Sequence, residues 1–106
     1  MKICYDIETD GFDANVIWCL VAQNMETGIV YKYSDHDDKL PSIKDGVQIL
    51  SNAEVLIGHN IIGFDNVQVD KLYGTDLNSK KCYDTWVMSQ VLRYRRTHKQ
   101  GLAGWG

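Results

Sequence analysis

The chain lacks acidic residues in its last part. All 14 acidic side chains of its 106 residues lie at or before Asp84. Residues 1–92 carry a net charge of −7, and residues 93–106 carry +4. This asymmetry is typical of an acidic site with a basic flank, although a solvated basic helix end would show the same pattern. The total of −3 argues against binding nucleic acid through overall charge alone.

Cysteine and long apolar segments are also scarce. The three cysteines are an odd number without CxxC spacing, which argues against a disulfide framework and against a zinc knuckle. No apolar run approaches the roughly 18 residues of a membrane span, and the start shows no signal-peptide pattern. We therefore expect a protein of a reducing, cytoplasmic compartment that has no membrane partner.

The chain shows no internal repeat, low-complexity segment or linker. Its length is enough for one domain with one hydrophobic core, so residues 1–106 are predicted to form a single domain. The exposed-looking ending "GLAGWG" is unusual for a domain terminus and suggests a truncated domain.

The apolar pattern predicts a mixed α/β sheet in the order β-β-β-α-β-α-β-α. Alternating or apolar segments predict strands over 2–8, 16–23, 29–34, 54–60 and 80–83. The first helix is predicted to hold Pro41 in its first turn. A second helix would bury Phe64, Val67 and Leu72 and end at Gly74. Asp84 is predicted to cap a third helix, with Val87 and Val91 on its inner face.

Two like charges stand one residue apart at the end of the first predicted strand. In "YDIETDGF", Asp6 and Glu8 alternate onto the same face, where mutual repulsion is costly. Either solvent screens the two charges or a cation lies between them. Carboxylate oxygens are hard ligands that suit Mg²⁺ or Mn²⁺. Because the tripeptide DxE is common, the pattern by itself also fits a solvated strand end.

A second motif accompanies the first. "GHNIIGFD", residues 58–65, follows the fourth predicted strand. Together, "DIETD" and "HNIIGFD" resemble the first two motifs of the DEDD family of 3′–5′ exonucleases, which are DxE and N-x-x-x-(Phe/Tyr)-Asp. The matching residues here are Asp6, Glu8, Asn60, Phe64 and Asp65.

The resemblance extends along the chain. "KCYDTWVMSQVL" resembles the Asp-Thr segment that opens the next helix in these nucleases. "HKQGLAGWG" resembles a stretch in the proofreading domain of phage DNA polymerases of family A, the polymerase I type. The resemblance implies a ribonuclease H-like fold, a DNA polymerase context and, for a phage-encoded chain, the host cell cytoplasm.

The resemblance also implies two-metal hydrolysis of the terminal phosphodiester of single-stranded DNA at its 3′ end. Asp6, Glu8 and Asp65 would be the catalytic, metal-binding residues. One Mg²⁺ or Mn²⁺ held by Asp6 and Glu8 would activate a water molecule. A second, shared by Asp6 and Asp65, would stabilise the leaving 3′ oxygen. A divalent cation would thereby neutralise the paired charges of the first strand.

Three further positions match substrate-binding residues of the family. Thr9 matches a residue whose backbone meets the terminal 3′-hydroxyl. Phe12 matches an apolar residue that packs against the end bases, although a buried plug beneath its loop fits the sequence equally well. Asn60 either contacts substrate or orders the loop that presents Asp65. His59 is expected to form a structural hydrogen bond rather than to act as a base.

The family's third motif, (Tyr/His)-x-x-x-Asp, is absent from these residues. Three interpretations follow, and the sequence favours the first. The chain is the N-terminal portion of an exonuclease domain, inactive or weak until it meets the remaining exonuclease and polymerase portion in cis or in trans. Alternatively, it is a non-catalytic module that binds nucleic-acid ends or another protein, or a weak nuclease that uses three ligands.

Overall fold

The computed structural model of the chain describes residues 1–97, which contain five strands in one sheet and three α-helices. The strands are β1 Lys2–Thr9, β2 Ile17–Asn24, β3 Val30–Tyr33, β4 Val55–Gly58 and β5 Lys81–Asp84. The helices are α1 Ile43–Asn52, α2 Asn66–Tyr73 and α3 Thr85–Thr97. A π-helical turn, Ile61–Asp65, leads into α2, and a 3₁₀ turn, Leu77–Ser79, precedes β5. The predicted element order is confirmed, whereas the motif "HKQGLAGWG" lies outside the described residues.

The strand order across the sheet is β3-β2-β1-β4-β5. β2 pairs antiparallel with both β1 and β3, while β4 pairs parallel with β1 and with β5. Among the described strands, β2 alone therefore runs against the others. This mixed arrangement, with β1 at its centre, confirms the predicted ribonuclease H-like fold class. No helix within residues 1–97 is long and apolar enough to cross a membrane.

The alternation of β1 separates the two faces of the sheet. Ile3, Tyr5 and Ile7 are buried in the core, and the intervening side chains point to the opposite side. α1 packs over β2 and β3 on the core side. We call the opposite side the open face; it carries Cys4, Asp6 and Glu8 from β1, and the exposed Val21 and Val30 from β2 and β3. The predicted acidic pair therefore stands on an open sheet surface.

The predicted start of α1 needs a small correction. α1 begins at Ile43, and Ser42 is its N-cap, whose Oγ accepts the N–H of Asp45 at 3.4 Å. Pro41 thus lies just before the cap and not in the first turn. It cannot be the cap residue itself because it has no side-chain acceptor.

The predicted inner face of α2 is partly wrong. Val67 is exposed, whereas Val69 is fully buried. The π-helical turn before α2 adds a residue to the turn and changes which positions face the core. The helix ends as predicted at Gly74, whose φ of 69° belongs to the left-handed region that glycine adopts at low cost.

The third helix confirms one prediction and overturns another. Asp84 caps α3, because its Oδ1 accepts the N–H groups of Trp86 and Val87 at 2.9 and 3.3 Å. The sequence predicts Val87 and Val91 on an inner face, but they are 39% and 50% exposed. Both side chains are therefore only partly covered in the described part of the chain, and α3 does not bury them in the core.

Candidate active site

The acidic end of β1 extends beyond its parallel neighbour. β4 pairs with β1 only opposite Lys2–Cys4 and ends at Gly58. The chain then turns close to β1: a Cβ on Gly58 would lie 2.9 Å from the carbonyl oxygen of Tyr5 and 2.2 Å from Cγ2 of Ile61. Both distances are too short for a real Cβ atom, so residue 58 must be glycine for the turn to approach β1 this closely.

This turn brings Asp65 to β1. Asp65 occupies the N-cap position of α2, yet its side chain makes no capping hydrogen bond. Instead, its Oδ2 accepts the N–H of Ile7 at 3.3 Å, and the residue is only 4% exposed. Ile7 directly follows Asp6, so two of the three predicted metal ligands come together at the end of β1.

The electrostatics of Asp65 reflect this location. Its pKa is raised from 3.8 to about 7, first by burial, then by the negative charge of Asp6 and to a smaller extent by that of Asp84. The hydrogen bond from Ile7 acts the other way without cancelling the rise. A carboxylate in such a position is stabilised either by a proton or by a cation.

Glu8, the third predicted ligand, is exposed on the same face of β1 as Asp6. Within the described residues, no three His, Cys, Asp or Glu side chains form a group that could hold a metal ion. The structure thus brings together Asp6 and Asp65 but does not bring Glu8 into a common group with them. The pair still supplies the hard oxygen donors that fit Mg²⁺ or Mn²⁺.

Asp6 also lines an open groove of about 710 Å³ on the open face. This volume lies within the range of small-ligand sites. The groove is bordered by residues of β1, β2, β3 and the end of β4, namely Cys4, Tyr5, Asp6, Val21, Gln23, Val30, Gly58 and His59. A ligand in this groove would contact the acidic end of β1 directly.

The loop after β1 presents an aromatic side chain to solvent. Phe12 is 94% exposed, so the alternative in which it plugs the core is wrong. Thr9, at the end of β1, donates from its Oγ1 to the carbonyl of Gly11 at 2.8 Å and shapes the start of this loop. Of the three predicted substrate residues, Thr9 therefore ends β1 and Phe12 lies in the loop that follows it.

Gln68 holds this loop, a contact that the sequence did not reveal. Its buried side chain accepts the N–H of Ala14 at 2.9 Å and donates to the carbonyl of Phe12 at 3.0 Å. Gln68 lies one helical turn after Asp65 on α2. One short helix thus fixes the backbone on both sides of Asp13 and directly follows the buried carboxylate of Asp65. No local sequence pattern indicates this contact, because it joins residues 56 positions apart.

Asn60 lies at the start of the turn that leads to Asp65, and its side chain makes no capping hydrogen bond there, so its predicted ordering role stays a prediction. It adopts a left-handed conformation, φ 57° and ψ 32°, at the start of the π-helical turn. Its N–H donates to Oδ1 of Asp84 at 2.7 Å. Its predicted substrate contact stays a prediction. The neighbouring His59 forms the expected structural hydrogen bond, with Nδ1 2.9 Å from Oγ1 of Thr85.

Asp84 has an environment opposite to that of Asp65. Burial acts to raise its pKa, but hydrogen bonds from the N–H groups of Ile62, Asn60, Val87 and Trp86 outweigh burial and lower the pKa. Asp84 therefore stays ionised through contacts with the protein itself, and its carboxylate does more than cap α3. Sequence reasoning found the cap but missed the contacts to the turn.

Comparison with known proteins supports the fold. No family model matches the chain, and no curated protein matches its sequence. Among solved structures, the chain resembles a family B DNA polymerase from the hyperthermophilic archaeon Pyrobaculum calidifontis, with a TM-score of 0.55 and 14% sequence identity. The match covers 80% of this chain and 15% of that polymerase chain. The chain therefore shares the fold of a segment of a DNA polymerase.

Proposed function

We propose that the chain carries part of the metal-dependent active site of a 3′–5′ exonuclease, the proofreading type associated with DNA polymerases. The observation that carries this proposal is the meeting of Asp6 and Asp65, which lie 59 positions apart in the chain and become neighbours through the hydrogen bond from Ile7 to Asp65. The motif resemblance predicts this convergence. A surface role for both acids would not require a buried Asp65.

Each residue of the proposed site has a distinct task. Asp6 and Asp65 would hold divalent cations, with Glu8 as a further ligand from the same face of β1. Bound Mg²⁺ or Mn²⁺ supplies a hydroxide from water and neutralises charge on the phosphodiester. Thr9 would position the 3′-terminal nucleotide through its backbone. Phe12, held outward by its loop, would stack on the end base without regard to sequence.

The fourth acidic ligand of the family is not found in this sequence after Asp84. We therefore propose that full activity requires a further segment of an exonuclease or polymerase, in cis or in trans. The family A and phage assignments belong to this proposal and depend on the motif "HKQGLAGWG". The structural likeness to a family B polymerase supports only the polymerase-type fold.

A cleavage assay tests this function. A 5′-labelled single-stranded oligonucleotide is incubated with the chain and Mn²⁺, and its length is followed over time. We expect slow shortening from the 3′ end that is lost in Asp6→Asn and in Asp65→Asn. Asp38→Asn, which removes an exposed acid from the loop before α1, serves as the matched control and should cleave like the wild type.

Two results would overturn the proposal. Shortening that survives in Asp65→Asn would come from a contaminating nuclease. DNA-end binding that is equal with and without Mn²⁺, with no shortening, would instead indicate a non-catalytic end-binding module.

A further inference from the structure

Asp84 is a buried carboxylate whose hydrogen bonds exceed what a helix cap requires. Its side chain is only 3% exposed. Two backbone N–H groups, those of Trp86 and Val87, belong to the first turn of α3 and satisfy the capping role. Two others come from a different part of the chain.

These two donors lie in the turn that precedes Asp65. The N–H of Asn60 donates to Oδ1 at 2.7 Å, and the N–H of Ile62 donates to Oδ2 at 2.9 Å. Both of these hydrogen bonds are shorter than the 3.3 Å hydrogen bond from Val87 to Asp84. Oδ2 therefore bonds to the turn alone, whereas Oδ1 bonds both to the turn and to α3.

The turn needs this support because it has an unusual geometry. Asn60 is the only non-glycine residue with positive φ in the described part of the chain, and a π-helical turn follows it immediately. Both features have lower intrinsic stability than α-helix. Asp65 is the last residue of that turn, three positions after Ile62.

We propose that Asp84 is a positioning residue for the metal site: its carboxylate fixes the Asn60–Ile62 turn and thereby sets the location of Asp65 against β1. The expected effect of Asp84 on metal binding rests on the proposed function. The dependence of the Asp65–Ile7 contact on Asp84 can be measured without any metal. Asp84 is not proposed as a metal ligand, since both of its oxygens accept backbone N–H groups.

The experiment separates the cap from the contacts to the turn. Asp84→Ser keeps a good N-cap for α3 but has a shorter side chain with a single oxygen. Asp84→Asn keeps the size but replaces one acceptor oxygen with an amide donor. The matched control is Ser42→Ala, which removes the N-cap of α1, away from the site. Asp65→Ala shows the effect of losing the acceptor of the Ile7 N–H.

The metal-free readout is amide hydrogen exchange by NMR, given as the exchange rate of Ile7 relative to that of the core residue Leu20. We expect this ratio to rise roughly three- to tenfold in Asp84→Ser and Asp84→Asn, toward its value in Asp65→Ala, and to stay unchanged in Ser42→Ala. An unchanged ratio in both folded Asp84 variants would overturn the inference.

The second readout is Mn²⁺ affinity by calorimetry. We expect both Asp84 variants to bind Mn²⁺ about tenfold more weakly than the wild type, as when partners that orient a ligand are removed, and Ser42→Ala to bind normally. Wild-type affinity in both Asp84 variants would contradict the inference. A wild type that binds no Mn²⁺ would refute the proposed function, while the exchange ratio would still decide whether Asp84 positions Asp65.

Discussion

Two buried aspartates at the same end of the sheet are held in opposite ways. Asp84 accepts four backbone N–H groups, and they lower its pKa despite burial. Asp65 accepts one N–H from a neighbouring strand and lies near the charges of Asp6 and Asp84, so its pKa rises to about 7. The protein therefore gives one carboxylate four N–H donors, whereas the other accepts one N–H from β1 and lies beside two further negative charges.

This difference distinguishes a structural carboxylate from a functional one. A buried charge with a full set of donors stabilises the fold and offers nothing to a ligand. A buried charge beside other negative charges destabilises the metal-free protein, and a bound cation removes this repulsion. The comparison predicts that changing Asp65 and changing Asp84 have opposite effects on stability.

The largest expected effect is that of Asp65→Asn on the pH dependence of stability. Because the folded pKa of Asp65 lies above the unfolded value of 3.8, its contribution is fully present below pH 3.8 and is lost as pH rises through about 7. At pH 8, metal-free Asp65→Asn should therefore exceed the wild type by up to about 4 kcal/mol, and at pH 4 the two should be equal. Urea unfolding at several pH values measures this difference.

The control for that series is Asp38→Asn, which removes an exposed acid and should leave the pH profile unchanged. If the difference in unfolding free energy between the wild type and Asp65→Asn is the same at pH 4 and pH 8, the pKa of Asp65 is not raised by its surroundings.

Asp84→Ala should have the next largest effect, in the opposite direction. It removes the cap of α3 and leaves the N–H groups of Asn60 and Ile62 without their acceptor, which should cost about 3 kcal/mol. Since the folded pKa of Asp84 lies below 3.8, its contribution is present above that pH and is lost as pH falls through the folded value. Urea unfolding at pH 6 and pH 3 should therefore show a smaller loss at pH 3, and an equal loss would contradict this account.

Phe12→Ala should leave stability nearly unchanged, because the side chain is 94% exposed and contributes little to the core. It should weaken binding of single-stranded DNA by roughly 1–3 kcal/mol through lost base stacking. Fluorescence of a 2-aminopurine placed at the 3′ end measures that stacking.

Gln68→Ala should weaken binding of single-stranded DNA only when Phe12 is present, because Gln68 acts by holding the loop that carries Phe12. An additive loss in the double variant would contradict this role.

Glu8→Gln should have the smallest effect on the metal-free protein. Glu8 is exposed and does not join Asp6 and Asp65 in a common group of ligands within the described residues. We expect a change in stability within about 0.5 kcal/mol and a loss of Mn²⁺ affinity smaller than that of Asp6→Asn. Calorimetry on the two variants makes the comparison, and a larger loss in Glu8→Gln would reverse the assignment of the principal ligands.

The sequence predicted the parts of the molecule that depend on local pattern. The alternation of β1 placed Asp6 and Glu8 on the face opposite Ile3 and Tyr5, and the structure confirms it. Gly74 and Asp84 were recognised as helix ends because their roles depend on the residues beside them.

Long-range contacts could not be predicted in the same way. The bonds of Gln68 to the Phe12 loop and of Asp84 to Ile62 join residues that are far apart in sequence, and no periodicity encodes them. The π-helical turn is likewise invisible to a 3.6-residue pattern, which is why Val67 was placed on the wrong face. For α3, an apolar stripe indicated burial, but Val87 and Val91 stay partly exposed, because burial depends on packing partners that a local pattern does not specify.

The most direct test of the central claim is calorimetric titration of Mn²⁺ into the wild type, Asp6→Asn and Asp65→Asn at pH 7.5, with Asp38→Asn as control. We predict binding in the wild type and the control, and its loss in both Asp6→Asn and Asp65→Asn, because the two carboxylates form one site. Mn²⁺ binding that persists unchanged in Asp65→Asn would contradict the claim that the buried carboxylate beside Asp6 is a metal ligand.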